Sequence, residues 1–287
     1  MNGVEVKKTH PGEFEKIYPL LKEFNSPYAR EDWRRIFAYR WDGVEEYMGF
    51  HLEHNGHVVG FMGLIFSCRR RHNREYKFCN ITSLIVKDGY RAATIMLVRK
   101  LKHLEDTICT GLSPISESYR LLKMVGFTAY ESHFKIISTL NGFLRRGREV
   151  DVSVFPALLD RIDAENRRLV IDHVGLKCES ILFDFNGNPC LLIYRVTRQK
   201  YCKVPLRKVR ILYISDVERF NENLTTILRI FHGLFGFLSA MYVDSRFIHD
   251  QQLLFSIERE VVPPRICSGL SGGQMEIDEL YSEAVLL

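Results

Sequence analysis

Ile81-Thr82-Ser83-Leu84-Ile85-Val86-Lys87-Asp88-Gly89-Tyr90-Arg91-Ala92-Ala93-Thr94-Ile95-Met96-Leu97 reads as a buried strand, a sharp turn and then a helix. That order points the free N–H groups of a helix's first turn at the space beyond the strand's end, where aligned peptide dipoles favour a phosphate. About thirty residues on, the pattern repeats. Thr107-Ile108-Cys109-Thr110-Gly111-Leu112-Ser113-Pro114 leads into the amphipathic run Ser118-Tyr119-Arg120-Leu121-Leu122-Lys123-Met124-Val125, closed by Gly126-Phe127.

Together the two units resemble the core of a GNAT-type acyltransferase, a family that grips the pyrophosphate of acyl-CoA at the first helix and ends the second in a Gly-Phe pair. The family's phosphate turn, Arg/Gln-x-x-Gly-x-Gly/Ala, aligns with Arg91-Ala92-Ala93-Thr94-Ile95-Met96, so both small-residue positions are altered. The resemblance makes Arg91 and the N–H groups from Ala92 through Ala93, Thr94 and Ile95 to Met96 the pyrophosphate donors, with the Thr94 hydroxyl as a further one. It also implies an oxyanion hole formed by a backbone N–H of the splayed strand, by position that of Ile85 or Val86.

The family's usual tyrosine acid is Leu122 here. Tyr119, Ser113 and Ser116 are the nearest hydroxyls, and Tyr119, one helical turn earlier, is the expected proton donor to the leaving thiolate. Ser113 matches a position whose counterpart often bonds the pantetheine arm. Asn80 and Ser83 stand where the family places groups that handle the acceptor amine. His51 and His133, both on expected strands, are candidate bases.

Working outward, Val4 to Lys8 alternates as a strand, and Phe14, Ile17, Tyr18, Leu21 and Phe24 recur at helical spacing. A second helix is expected over Arg30 to Tyr39. Phe50 to Leu64 forms a hairpin about Asn55-Gly56, residues suited to the positive φ angles of a two-residue turn. His133 to Leu140 supplies the last strand of this half. The basic run Arg69-Arg70-Arg71-His72-Asn73-Arg74 reads as a solvated hairpin tip, and Ser268 to Gly273 as a flexible loop.

Beyond Arg145-Arg146-Gly147-Arg148 the pattern returns as a worn second copy. Ile181 to Ile193 is another Asn-Gly hairpin, Val209 to Ile214 a strand, and Asp216-Val217-Glu218-Arg219 matches Asp88-Gly89-Tyr90-Arg91 at an offset of roughly 130 residues, a domain-sized period. Glu218 and Glu222 at its turn oppose a phosphate. The expectation is therefore an α/β (α+β) fold of tandem GNAT-like domains, each a mixed, mostly antiparallel sheet flanked by helices. The acyl-CoA-binding catalytic domain spans 1–143, a linker 144–150 and a degenerate, non-binding domain 151–287.

Composition sets the outer limits. With 287 residues, 46% of them apolar, the chain can fill a large core, and 40 basic against 35 acidic residues fall short of a nucleic-acid-binding stripe. Seven cysteines without Cys-x-x-Cys pairs argue against a structural metal and for a reduced, cytoplasmic setting. No apolar run is long enough to span a membrane. The resemblance implies acyl-CoA, with acetyl-CoA the simplest case, as co-substrate, no metal, and a small-molecule amine as acceptor. The Asn80-x-x-Ser83 strand resembles enzymes of bacterial surface-polysaccharide pathways, which points to an amino sugar. An acyl-carrier-protein donor and a non-catalytic binding module stay open, as does the oligomeric state.

Overall fold

The computed structural model describes residues 3–23, 28–39, 41, 45–71, 74–130, 133–144, 146–201, 204–249, 253–269 and 277–287. The strands are β1 (Val4–Lys8), β2 (Gly49–His54), β3 (His57–Arg71), β4 (Arg74–Val86), β5 (Thr107–Gly111), β6 (Thr128–Ala129) and β7 (His133–Ser138). They continue as β8 (Asp151–Val154), β9 (Glu179–Asp184), β10 (Pro189–Tyr201), β11 (Val204–Ile214), β12 (Ser239–Asp244), β13 (Ser256–Glu260) and β14 (Ile266–Ser268). The helices are α1 (Phe14–Lys22), α2 (Arg30–Ala38), α3 (Thr94–Arg99), α4 (Ser116–Met124), α5 (Ala164–His173), α6 (Val217–Glu222), α7 (Leu224–Phe235) and α8 (Glu283–Leu286). Among the described residues no helix is long and apolar enough to cross a membrane.

Two seven-stranded sheets result, ordered β1-β2-β3-β4-β5-β14-β6 and β13-β7-β12-β11-β10-β9-β8. Each is antiparallel except for one parallel pair, β4 with β5 and β11 with β12. Both expected Asn-Gly turns form, with Asn55 and Gly56 at φ 49° and 76° and Asn186 and Gly187 at 58° and 82°. Positive φ at both central residues matches the right-handed twist of the flanking strands. The sheets also share one irregularity. Register slips between Gly63 and Leu64 leave Thr82 as the extra residue of β4, and slips between Ile193 and Tyr194 leave Leu212 as the extra residue of β11.

The division of the chain departs from the expected boundaries. One unit comprises Met1–Tyr130, Pro263–Ile277 and Tyr281–Leu287; the other comprises Glu131–Val262 and Asp278–Leu280. β7, expected to finish the first sheet, instead lies between β13 and β12 in the second, while β14 takes the corresponding place between β5 and β6 in the first. The copies have exchanged strands. A strand bonds to whichever edge offers matching N–H and C=O groups, and two copies of one fold offer equivalent edges. The segment read as a linker is packed as well: the Arg148 N–H donates to Thr226 Oγ1 of α7 at 2.9 Å. Arg145 and residues 270–276 of the glycine-rich stretch lie outside the described residues.

Each unit has its own core. In the first, Leu52, Met62, Cys79, Leu97, Cys109, Val98 and Ile266 are buried together. In the second, Phe183, Leu192, Val209, Phe220, Ile227, Phe231 and Met241 do the same. The Val, Leu, Ile, Phe and Met side chains among these each contribute roughly 1.5–3 kcal/mol on full burial. The six described cysteines are all free thiols. Arg69, from the basic run, is not at a solvated tip; it is buried, with its guanidinium 4.2 Å from the centroid of the Phe78 ring.

Candidate active site

β4 and β5 pair only from Lys77–Thr107 to Asn80–Thr110, after which β4 runs on to Val86 while β5 stops at Gly111. Pro114 follows directly, and a residue without an N–H cannot extend the ladder. The Thr82 bulge sits just past the last pair and adds local twist. The fork between the strands is a cleft of about 180 Å³, lined by Thr82, Ser83 and Leu84 of β4, Trp33 of α2, Ser118 and Leu122 of α4, and Glu283 and Leu287 near the C-terminal end.

The amides of β4 follow from one bond. Lys87 N–H donates to Val59 O at 2.9 Å, and Ile85 lies opposite Phe61 in the same register. Alternate N–H groups of a strand point to opposite edges. Ile85 is therefore turned to β3, against one of the two expectations, while Val86 and Leu84 present their amides to the open fork. The bulge restarts the alternation at Thr82.

Ser83 Oγ and Thr82 Oγ1 are buried with no hydrogen-bond partner among the described residues, and both residues line the cleft. Gly63 makes room for them, since a Cβ there would lie 2.6 Å from Ser83 Oγ and 2.8 Å from Thr82 Cγ2. Asn80 is buried outside the lining. Its Nδ2 donates to Thr110 Oγ1 at 3.2 Å, so it ties the last paired rung of β4 and β5, while its Oδ1 has no partner among the described residues. Ser113 Oγ, expected at the pantetheine arm, donates to Glu283 Oε1 at 2.9 Å.

Glu283 opens α8. Ser282 caps that turn, its Oγ accepting from Ala284 N–H at 3.1 Å, and Arg35 of α2 donates to Leu286 O at 3.0 Å. No motif marks this residue in the sequence, and it lies 170 positions from the serine it bonds. Only the fold brings a carboxylate into the cleft.

Tyr119 does not line the cleft. It is half-buried against the first unit's core, and Ser118 and Leu122, four apart on one face of α4, occupy the wall instead. Tyr28 is the one phenol among the lining residues. His51 is equally remote from base chemistry there: it is buried, bonded through Nδ1 to Thr9 Oγ1 at 2.9 Å, and burial pushes its pKa down. His133 lies on β7, in the second sheet.

The turn after β4 is a 3-10 segment, Asp88–Ala93, leading into α3. Its amides are partly engaged, the Thr94 N–H donating to Arg91 O. The Thr94 hydroxyl also donates to Arg91 O, at 2.6 Å, rather than pointing outward. Arg91 forms an exposed ion pair with Asp88 at 2.7 Å. Ala92 is exposed, Ala93 is fully buried, and Ile95 and Met96 pack against the core, so the Met96 side chain is directed away from the turn's outer surface. Ala92 is thus the position at which to test phosphate binding. Ala92→Asp is expected to weaken CoA binding at least about tenfold by calorimetry without lowering the melting temperature, through like-charge repulsion. Ala93→Asp would bury an unpaired carboxylate and unfold the protein. Equal CoA affinity in wild type and Ala92→Asp would remove the phosphate assignment.

In the second unit the matching fork is filled. β11 and β12 pair from Arg207–Ser239 to Arg210–Tyr242, and beyond the last rung the backbone N–H of Glu279 donates to the bulged Leu212 at 3.3 Å. The Glu279 carboxylate, buried, forms an ion pair with Arg210 at 2.6 Å. At the start of α6 the Asp216 carboxylate accepts from Arg219 N–H at 2.8 Å, so a side chain already satisfies that turn.

An open fork of parallel strands, a bulge beside it and the same plan repeated in a second sheet decide the architecture. The fold is that of a tandem GNAT protein. A GCN5-related N-acetyltransferase from Anabaena variabilis superposes with a TM-score of 0.60 over 92% of this chain and 72% of its own, at 12% identity. Saccharomyces cerevisiae N-myristoyltransferase with bound myristoyl-CoA matches at 0.51, covering 93% and 78% at 10% identity. Eis1 from Mycobacterium abscessus matches at 0.52, covering 92% and 73% at 11% identity. No protein-family model and no curated protein sequence matches the chain. At these identities the tandem GNAT fold is what the likeness establishes.

Proposed function

We propose that the protein is an N-acyltransferase that moves an acyl group from acyl-CoA to the amine of a small, polar acceptor. The observation that carries this reading is the open β4–β5 fork, with the Leu84 and Val86 amides turned into it and the Glu283 carboxylate on its wall. The pantetheine arm takes the place that a continued β5 would fill. The attacking amine forms its C–N bond as the thioester C–S bond breaks, and the amides stabilise the negative charge that develops on the carbonyl oxygen. Glu283 accepts the proton released by the amine, and Tyr28 supplies one to the departing thiolate. Holding both substrates in one cleft makes direct transfer effectively unimolecular.

The acceptor side of the reading rests on hydroxyls. Thr82, Ser83, Ser113 and Ser118 line the same cleft, a set suited to hydrogen-bonding a polyol, which favours an amino sugar. The test is thiol release from acetyl-CoA and longer acyl-CoAs, and from acyl carrier protein, against a panel of amino sugars, aryl amines and peptides. Release that depends on both a CoA thioester and an amino sugar is the expected result. Release only with the carrier protein would replace the donor; none with any pair would leave a non-catalytic module.

A further inference from the structure

The bulge in β4 sorts the strand's side chains onto two faces. Cys79 belongs to the first unit's core and Ile81, Leu84 and Val86 pack against it, so Asn80, Thr82, Ser83 and Ile85 stand on the opposite face. Thr82 and Ser83 are therefore sequence neighbours on one side of the sheet, which a regular strand forbids. That side is the one α2 covers. Phe61 of β3 stacks on Phe37 of α2 with ring centroids 5.8 Å apart, and Trp33, one turn earlier on the helix, lines the cleft.

Two hydroxyls on this face lack a partner. Ser83 is only 6% exposed, and neither its Oγ nor Thr82 Oγ1 has a hydrogen bond among the described residues, although both residues line the cleft. A buried hydroxyl left unpaired destabilises the fold, so alanine and valine would serve better as mere filling. Gly63 keeps the space beside them open, since its absent Cβ would come 2.6 Å from Ser83 Oγ.

The fork fixes the side from which the acceptor arrives. A thioester carbonyl that accepts from the β4 amides lies near the plane of the sheet, as a neighbouring strand's carbonyl would. A nucleophile attacks a carbonyl at right angles to its plane, hence from one face of the sheet. The first face is filled by Leu97 and Val98 of α3 and Leu122 of α4, all buried. The amine therefore enters from the α2 face, where the two hydroxyls stand.

We propose, resting on the acyltransferase reading, that Thr82 and Ser83 select the acceptor by binding a hydroxyl on the carbon next to its amine, which makes the substrate class a vicinal amino alcohol such as a 2-amino sugar. Ser83 directly precedes Leu84, whose N–H faces the fork, and the bonds from Ser83 Oγ to that nitrogen span no more than about 5 Å. A group bonded to Ser83 thus lies beside the attacking nitrogen and not at the acceptor's far end. Serine and threonine hydroxyls both donate and accept, so the pair can satisfy a substrate hydroxyl in both directions.

The experiment measures kcat/KM for thiol release from acetyl-CoA by the full chain, in wild type, Ser83→Ala and Thr82→Val, with two isomeric acceptors. In glucosamine the amine adjoins carbons that bear hydroxyls; in 6-amino-6-deoxyglucose it adjoins only the carbon that bears the ring oxygen. A site built around a hydroxyl rejects an analogue lacking it, so wild type should prefer glucosamine by at least about a hundredfold, and each variant should cut that preference by at least about tenfold. Without ligand, neither variant should melt below wild type, because the lost hydroxyl has no partner among the described residues. Equal rates with the two sugars, a preference that survives both substitutions, or a lower melting temperature in Ser83→Ala would overturn the proposal and leave acyl transfer standing. Glycolyl-CoA outpacing propionyl-CoA in wild type but not in Ser83→Ala would turn the hydroxyls toward the donor, and the proposal would fall. Absence of thiol release with every amine would remove the acyltransferase reading and this proposal with it.

Discussion

Glu283→Gln should lower the rate of acyl transfer at neutral pH by a factor of about a hundred to ten thousand, the usual worth of a positioned general base. CoA affinity should not change, because the substitution keeps the shape and an acceptor for Ser113, whose Oγ donates to Glu283 Oε1. The pH profile separates this role from a structural one. A base matters least when the acceptor amine is already deprotonated, so the defect should shrink as pH rises toward the amine's own pKa. A uniform loss across pH, or a loss of less than threefold, would return Glu283 to the part of a helix-start side chain that merely holds Ser113.

A chain ended at Gly147 should neither melt cooperatively nor bind CoA. From the sequence such a fragment reads as a complete catalytic half. In the fold it lacks β14, which bonds β5 on one side and β6 on the other, and it lacks α8, whose turn Arg35 anchors. It also carries β7 without the β12 and β13 edges that satisfy its backbone. Ile266 and Cys267, both buried, would leave a gap in the first unit's core. A cooperative transition in this fragment, with CoA shifting its midpoint, would show that the strand exchange is dispensable.

The sequence carried the local geometry well and the long-range geometry poorly. Asn55-Gly56 and Asn186-Gly187 announce their hairpins because few other pairs tolerate positive φ twice in succession. The strand before Lys87 and the helix after Pro114 are equally legible from periodicity, and the repeated plan shows in bulges at Thr82 and Leu212. Sheet membership is different. Alternation of apolar residues in His133–Ser138 specifies a strand and says nothing about which of two equivalent sheets receives it. Ile266–Ser268 is too short to register beside a glycine-rich stretch.

The candidate site divides the same way. Ser83 was legible because it sits on the strand that makes the fork, and it lines the cleft. Tyr119 was misplaced by proximity in sequence to Leu122; a helix turns 100° per residue, and Ser118 and Leu122 share the face that Tyr119 leaves. Ala93 looked like a turn residue open to ligand and is instead core. Glu283 had no local signal, since its role depends on a strand and a helix distant in the chain.

The central claim is that the fork in the first sheet is the donor site and its counterpart in the second is closed. An electron-density map of the protein with CoA tests it most directly. The account predicts pantetheine lying between β4 and β5, its far end within hydrogen-bonding distance of the Leu84 or Val86 amide, and the pyrophosphate against the Asp88–Ala93 turn. CoA found instead at the start of α6, or with Glu279 displaced from Arg210 in the second fork, would contradict it.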